Sequence, residues 1–283
     1  MTTVRAALAS AAEQLAAAGV ADAEREAVWM LAHLLGCSAG ALRLRASEHL
    51  GAEGAAAFAA MVARRARREP LQYILGSEEF LGLSFQVTPA VLIPRLDTET
   101  LVKQALAYLS GRGEVMVADI GTGSGAIAVA VAHLLPLARV VAVDLSPEAL
   151  AVAQANAARN GVADRVEFRE GDLLAPLGAE RFDAILSNPP YIGEDEMAGL
   201  MPEVREWEPR LALSPGSDGL LAYRRLASEA PARLKPGGML GVEVGAGQAR
   251  AVASLFRQTG LVDVTLYHDT AGIERVVIGS AAG

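Results

Sequence analysis

From Val115 onward, short apolar runs alternate with stretches long enough to be helices, and this alternation constrains the fold more than any other feature of the chain. The runs are Val115–Ile120, Val140–Leu145, Val166–Arg169, Phe182–Ser187, Met239–Gly245, Val262–Tyr267 and Arg275–Gly279. Helical stretches Ala126–Leu135, Pro147–Asn160 and Gly219–Leu234 fall between the first five, and Gln248–Thr259 follows the fifth. Strands joined through helices run parallel, with helices covering both faces of the sheet. The last two runs are joined only by His268–Glu274, too short for a crossover helix, so they are expected as an antiparallel pair at the sheet edge. The prediction is an α/β, Rossmann-like, mostly parallel seven-stranded sheet with an antiparallel edge strand.

Ahead of this region the texture differs. From Thr3 to about Glu69 the chain is rich in Ala, Leu, Arg and Glu, with Leu8, Leu15, Val28, Leu31 and Leu34 at helical spacing. Gly19, Gly36, Gly40 and Gly51 punctuate it into three or four short helices. Between Pro70 and Pro94 aromatic and β-branched residues broken by Gly and Pro, such as Phe80-Leu81-Gly82-Leu83, read as a hairpin-like connector. The expected organisation is a small helical domain over 1–70, a connector over 71–95 and the α/β domain over 96–283.

Of the 283 residues, 52% are hydrophobic and 20% charged, enough for one large or two unequal cores. No apolar run reaches the length of a membrane span, and the start lacks the charged and apolar regions of a secretory signal. Cys37 is the only cysteine, which excludes an intrachain disulfide, and His33, His49, His133 and His268 show no metal-ligand spacing. No metal is expected, and a cytoplasmic location is the default. A net charge of −8 disfavours a general nucleic-acid binder.

Asp119-Ile120-Gly121-Thr122-Gly123-Ser124-Gly125 ends the first run and opens a helix. Glycines allow a sharp turn and close ligand approach, and the helix start offers free N–H groups. A dinucleotide loop is the competing reading, but the spacing is G-x-G-x-G, with Ala126 where that loop needs glycine. Asp119 suits a cationic amino acid moiety better than a pyrophosphate. Asp144, closing the second run, can accept ribose hydroxyls; otherwise it caps the next helix, a job that suits Ser146 better. Asp172, with Leu173 after the third run, can accept from an adenine amine or remain a solvated turn aspartate.

Asn188-Pro189-Pro190-Tyr191 leaves the fourth run at the same sheet edge. It can be a stiff turn; beside a cofactor loop, it suits a reaction on a planar –NH₂ group. An amide nitrogen is a poor nucleophile because its lone pair is delocalised, so it must be oriented. The Asn188 side-chain oxygen and the Pro189 carbonyl can accept from it, prolines hold those acceptors stiffly, and Tyr191 can pack against the planar group.

With these residues the chain resembles the protein release factor glutamine methyltransferases (PrmC/HemK). The likeness rests on Pro70-Leu71-Gln72-Tyr73-Ile74-Leu75-Gly76, Leu92-Ile93-Pro94-Arg95-Leu96-Asp97-Thr98-Glu99, the glycine loop and Asn188-Pro189-Pro190-Tyr191-Ile192. Glu208-Pro209, Gly216-Ser217-Asp218-Gly219-Leu220 and Ala271-Gly272-Ile273-Glu274-Arg275 extend it. The resemblance implies a class I methyltransferase fold and S-adenosyl-L-methionine as cofactor, held by Gly121, Thr122, Gly123, Ser124, Gly125, Asp144 and Asn188. It implies that Asn188, Pro189, Pro190 and Tyr191 bind the glutamine of the Gly-Gly-Gln tip of class I peptide chain release factors. Asn188, Pro189 and Tyr191 would then be the catalytic set, with Asp119, Asp172 and Leu173 completing the cofactor site. Two departures are Leu96, where the family usually has proline, and Leu173, aromatic in some relatives.

Arg64-Arg65-Ala66-Arg67-Arg68 reads as a solvated helix end and as one candidate contact for the release factor. Arg95 and Glu99 suggest a lid over the cofactor or a structural ion pair at a helix start. The alternatives are an adenine amino-group methyltransferase acting on DNA or RNA, a non-catalytic factor-binding module and a nicotinamide oxidoreductase. A monomer is expected, without membrane association or direct nucleic-acid binding.

Overall fold

The computed structural model describes residues 2–216 and 218–283; Ser217 of the Gly216–Leu220 block lies outside the described residues. The chain forms two compact units. One contains the residues up to Gly76 together with Met201–Trp207, and the other contains Ser77–Leu200 and Glu208–Gly283.

The first unit holds α1 (Val4–Ala17), α2 (Ala23–Leu34), α3 (Ala39–Leu44), α4 (Ala52–Ala66) and α5 (Leu71–Leu75). Thr3 and Ser38 cap α1 and α3 by accepting from Ala6 N–H and Ala41 N–H, and Gly76 ends α5 in the left-handed region at φ 75°. Leu15, Met30, Leu31, Phe58 and Val62 form its core. Arg65 is only 5% exposed. Its guanidinium meets Glu26 at 2.5 Å and Glu203 at 3.0 Å, and Arg68 meets Glu203 at 2.7 Å. Arg64 pairs with Glu69 at 2.5 Å. Three arginines of the basic run are therefore committed to internal carboxylates, not to a freely solvated face.

The second unit begins with a hairpin, β1 (Ser77–Phe80) and β2 (Leu83–Gln86), paired antiparallel. Its two turn residues, Leu81 and Gly82, both have positive φ, as a turn matching the right-handed strand twist requires. Then follow α6 (Thr98–Leu109), β3 (Val115–Ile120), α7 (Ala126–Leu134), β4 (Ala138–Asp144), α8 (Pro147–Arg159), β5 (Val166–Glu170) and β6 (Phe182–Ser187). After the short α9 (Pro202–Trp207), which belongs to the first unit, come α10 (Arg210–Leu213), α11 (Leu221–Glu229), β7 (Leu234–Glu243), α12 (Ala249–Gln258), β8 (Val262–His268) and β9 (Glu274–Ser280).

The seven strands are ordered β5-β4-β3-β6-β7-β9-β8. All pairings from β5 to β7 are parallel, while β9 runs antiparallel to both β7 and β8. The expected terminal pair is present, with β8 at the edge. Strand alternation divides the core in two. Val117, Val140, Ala142, Ala184 and Leu186 face α6 and α7, whereas Ala118, Val141, Val143 and Ile185 face α11 and α12. The chain runs outward from β3 through β4 to β5 and returns on the other side as β6, so the loops diverge between β3 and β6. In an open α/β sheet that divergence makes a crevice at the carboxyl ends.

Candidate active site

A cavity of about 310 Å³ occupies this crevice in the α/β unit. Its walls are Gly121–Ser124 after β3, Asp144–Ser146 after β4, Gly171–Leu173 after β5, and Asn188 and Pro190 after β6. Val91, Arg95, Thr98, Leu211 and Arg225 close it further.

The glycine loop is organised from below. Asp119 is fully buried; its Oδ2 accepts from Thr122 Oγ1 at 2.6 Å and from the Ala128 N–H at 3.1 Å, in the first turn of α7. Its Oδ1 is buried and accepts no hydrogen bond. Burial pushes this carboxyl up to about 7, against the two hydrogen bonds and aided by Asp144. Asp119 does not line the cavity; it lies beneath the loop that does. Gly121 and Gly123 have φ of 72° and 55°, and a Cβ on either would meet no atom within 4 Å, so both face open space. Gly125 sits against Ala153, 3.1 Å from where its Cβ would be. Asn156, fully buried, donates to Ser124 O at 2.8 Å and exchanges bonds with both Gln86 backbone groups, tying the loop to the hairpin.

Asp144 is held by two backbone donors, Gly123 N–H at 2.8 Å on Oδ2 and Ser146 N–H at 2.9 Å on Oδ1. Ser146, not Asp144, caps α8 by accepting from the Ala149 N–H at 3.1 Å. A side chain at Gly171 would overlap Pro176, with a Cβ 2.3 Å from its Cγ. Leu173 follows in the left-handed region at φ 48°. Asp172 is solvent-exposed, and both its oxygens accept from Arg225 Nη1, at 3.0 and 2.8 Å.

The tetrapeptide after β6 is clasped from several sides. Ser187 Oγ donates to Ile120 O at 2.7 Å, joining the ends of β6 and β3. Tyr191 O accepts from Gln248 Nε2 at 2.9 Å, and Gly219 packs so close that a Cβ would stand 2.4 Å from that oxygen. Asn188 and Pro190 line the cavity, whereas Pro189 is buried and Tyr191 packs into the α11–α12 core. Burial, reinforced by Glu243, pushes the Tyr191 phenol up to about 12, so it stays protonated. Asn188 Nδ2 donates to Thr98 Oγ1 at 3.2 Å, and Thr98 Oγ1 donates to Glu243 Oε2 at 2.5 Å. Arg95 Nη2 reaches both oxygens of buried Glu208, at 2.7 and 2.6 Å, while Glu99 accepts from Leu81 N–H and pairs with Lys103. Arg95 and Glu99 thus serve different partners.

Thr98, Glu208, Glu243, Arg225 and Asn156 were given no role on sequence grounds. The readable signal was Glu243, a carboxylate inside the apolar run Met239–Gly245, where a charge needs a partner. Together the cavity offers glycines that leave room for a ligand and a rigid carboxylate at the end of β4, with the unpaired Asp119 oxygen buried beneath the loop, outside the cavity lining. These groups fit a nucleoside carrying a cationic amino acid, and the Asp144 carboxylate on the cavity wall opposes a pyrophosphate. Among the described residues no group of His, Cys, Asp or Glu is arranged to hold a metal ion.

The family described as PrmC N-terminal domain matches residues 6–76, and the family described as methyltransferase small domain matches residues 95–201. A release factor glutamine methyltransferase from Geobacter sulfurreducens is 52% identical over 265 residues, covering 94% of this chain and 92% of that protein. One from Cereibacter sphaeroides is 50% identical, covering 96% of each. Among solved structures, the hMettl16 catalytic domain aligns with a TM-score of 0.60 at 18% identity, over 79% of this chain and 82% of that one. A methyltransferase from Pyrococcus furiosus aligns at 0.56 and 20% identity, over 78% and 99%. Those two likenesses show a shared fold.

Proposed function

The chain belongs to the release factor glutamine methyltransferase family, and from that premise we propose that it methylates the side-chain nitrogen N5 of the glutamine in the Gly-Gly-Gln motif of class I peptide chain release factors. S-adenosyl-L-methionine, the cofactor, supplies when bound a methyl group on a sulfonium centre, so no covalent protein nucleophile is required.

The protein's own task is to bind, orient and exclude water. Asn188 is assigned the central role, and the observation that carries this is its side chain at the cavity wall with Nδ2 already engaged by Thr98. Its Oδ1 is then available to accept from the substrate –NH₂. The Pro189 carbonyl is proposed as the second acceptor, and Pro190 as the wall against which the amide plane lies. Two acceptors on the N–H bonds draw electron density onto nitrogen and set its face toward the methyl group. Tyr191 is assigned to hold the tetrapeptide from behind; its protonated phenol is not a base.

On the cofactor side, Asp144 is proposed to receive the ribose hydroxyls, its two backbone donors keeping it in place. Asp119 is assigned to the glycine loop Gly121–Gly125, which it ties to α7 from beneath, and a cationic amino acid bound above the loop would favour its ionised form. Asp172 shares its oxygens with Arg225, and its remaining lone pairs are proposed for the adenine amine, with Leu173 as the apolar wall beside it. The helical unit is assigned to recognition of the release factor. Among the described residues no helix is long and apolar enough to cross a membrane, and the working assignment is a cytoplasmic monomer.

Among the described residues the cavity walls carry no aromatic ring, and Tyr191 packs toward α11 and α12, which supports the amide reading over a flipped adenine base stacked there. The test is incubation with radiolabelled S-adenosylmethionine and either purified release factor, its Gln-to-Ala variant, or DNA. Label on the unaltered factor alone is expected. Label on DNA would replace this reading with base methylation.

A further inference from the structure

Behind Asn188 runs a buried polar chain of which the proposed function uses only the last link, the bond to Thr98. It runs from Glu243 in β7 through Thr98, the first residue of α6, to Asn188 after β6. Thr98 is 4% exposed and Glu243 1%, so both lie in surroundings where every polar contact counts. The Thr98 hydroxyl has one proton, and it points at Glu243 Oε2 across 2.5 Å. With that proton committed, Thr98 Oγ1 can only accept, and what it accepts is Asn188 Nδ2 at 3.2 Å. The carboxamide of Asn188 therefore has one allowed orientation: nitrogen toward Thr98, oxygen turned away from it. A flipped Asn188 would set its oxygen against an oxygen with no proton to give.

We propose that Thr98 and Glu243 are positioning residues for methyl transfer, which through the chain Glu243–Thr98–Asn188 keep the Asn188 oxygen, and never its nitrogen, turned to the incoming amide. This rests on the assignment of Asn188 as the acceptor. The two residues act through Asn188 and touch no reacting atom. The site needs such a device because an asparagine amide presents a donor and an acceptor of nearly the same shape. A substrate amide nitrogen facing Nδ2 would meet a donor and lose the orientation that raises its reactivity.

The supports of the chain fit this task. Tyr223 on α11 donates to the Glu243 main-chain carbonyl at 2.9 Å, fixing that strand end. Charged groups around the Glu243 carboxylate are Asp97 just before α6, Arg95 in the preceding segment and Arg275 on β9, with the Tyr191 and Tyr223 phenols nearby. Arg275 is itself paired with Asp97 at 3.3 Å and Asp269 at 3.1 Å. Burial, with Asp97 adding to it, pushes the Glu243 carboxyl up to about 7, against the Thr98 hydrogen bond and the two arginines. Protonated, Glu243 can donate to Thr98 in turn, freeing the hydroxyl proton and the orientation of Asn188. The chain is then set when Glu243 is ionised and loosened as pH falls through about 7.

The experiment measures single-turnover methylation of release factor at saturating S-adenosylmethionine, with cofactor affinity measured separately by calorimetry. Thr98→Val should slow methylation roughly 10- to 100-fold, the worth of one hydrogen bond in a charged chain. Cofactor affinity should change little, and Thr98→Ser should restore most of the rate. Should the buried carboxylate unfold Thr98→Val, the double variant Thr98→Val with Glu243→Gln removes hydroxyl and charge together and is expected to be equally slow. Glu243→Gln alone should flatten the decline in rate between pH 8 and pH 6. An unchanged rate in Thr98→Val, or an unaltered pH profile in Glu243→Gln, would overturn the proposal. Asn188→Ala separates the two layers. If it too keeps the full rate, the assignment of Asn188 has failed; if it alone is slow, only the positioning chain has.

Discussion

Asp119 places a carboxyl where water cannot reach it and gives one of its oxygens no partner. Its folded value of about 7 lies well above the ordinary carboxylate range, so the folded protein holds this proton more tightly than the unfolded chain. The stabilisation that results is complete at acid pH and is lost as pH rises through about 7. Between pH 5 and pH 8 that single group should cost the cofactor-free protein about 2 kcal/mol or more. Asp119→Asn cannot ionise, so its urea-unfolding free energy should decline less steeply over that interval. Parallel declines would show that the carboxyl titrates normally. At this scale the sequence was informative where a residue stands in a local pattern: Asp119, the glycines, Asp144 and Asn188 are all read from neighbours within a few positions. Thr98 was opaque because its meaning is a bond across 145 residues, and Glu243, legible as a charge that needs a partner, did not reveal which partner. No local pattern encodes that pairing. The same holds for Asn156, which reads as an ordinary helix residue yet ties the hairpin to the glycine loop.

The strand-helix alternation located the seven strands because the central ones bury both faces and are apolar along most of their length, while the edge strands β5 and β8 are more exposed and mixed. Ends were less legible. β7 begins at Leu234, because Lys235-Pro236-Gly237-Gly238 continues the strand past an irregularity opposite Phe182 and Ala184 instead of forming a turn. The helix expected over Gly219–Leu234 is α11 over Leu221–Glu229, followed by a tighter turn into the strand. The short helices α9 and α10 have too few residues to show a period, and α6 was sensed only at its start. Gly219 illustrates how a loop supports the site. Its φ of 68° and a Cβ position 2.4 Å from Tyr191 O leave no room for a side chain. Gly219→Ala should destabilise the protein by about 1–3 kcal/mol and displace the carbonyl of Tyr191. Thermal unfolding combined with a methylation assay checks this, and a fully active, equally stable variant would contradict the clasp described here.

Across the whole molecule, the chain divides after Gly76, inside the stretch 71–95 that the sequence reading set apart as a connector. What no texture announced is that Met201–Trp207, far along the chain, belongs with the helical unit. Glu203 explains why: it joins Glu26 around the buried Arg65 and also takes Arg68. Arg65→Ala would leave two poorly solvated carboxylates facing each other and should cost about 3–5 kcal/mol. The matching expectation is that a fragment ending at Gly76 melts well below the intact unit, since it lacks Glu203; circular dichroism of both would show it, and equal melting temperatures would refute it. The chain belongs to a family of glutamine methyltransferases, and Asn188 is proposed to hold the glutamine side chain. The most direct test is fragment mass spectrometry of release factor after incubation with S-adenosylmethionine and either the wild-type protein or Asn188→Ala. The wild type is expected to leave one methyl group on the side-chain nitrogen of the Gly-Gly-Gln glutamine, and the variant almost none. A methyl group on another residue, or equal modification by both proteins, would contradict it.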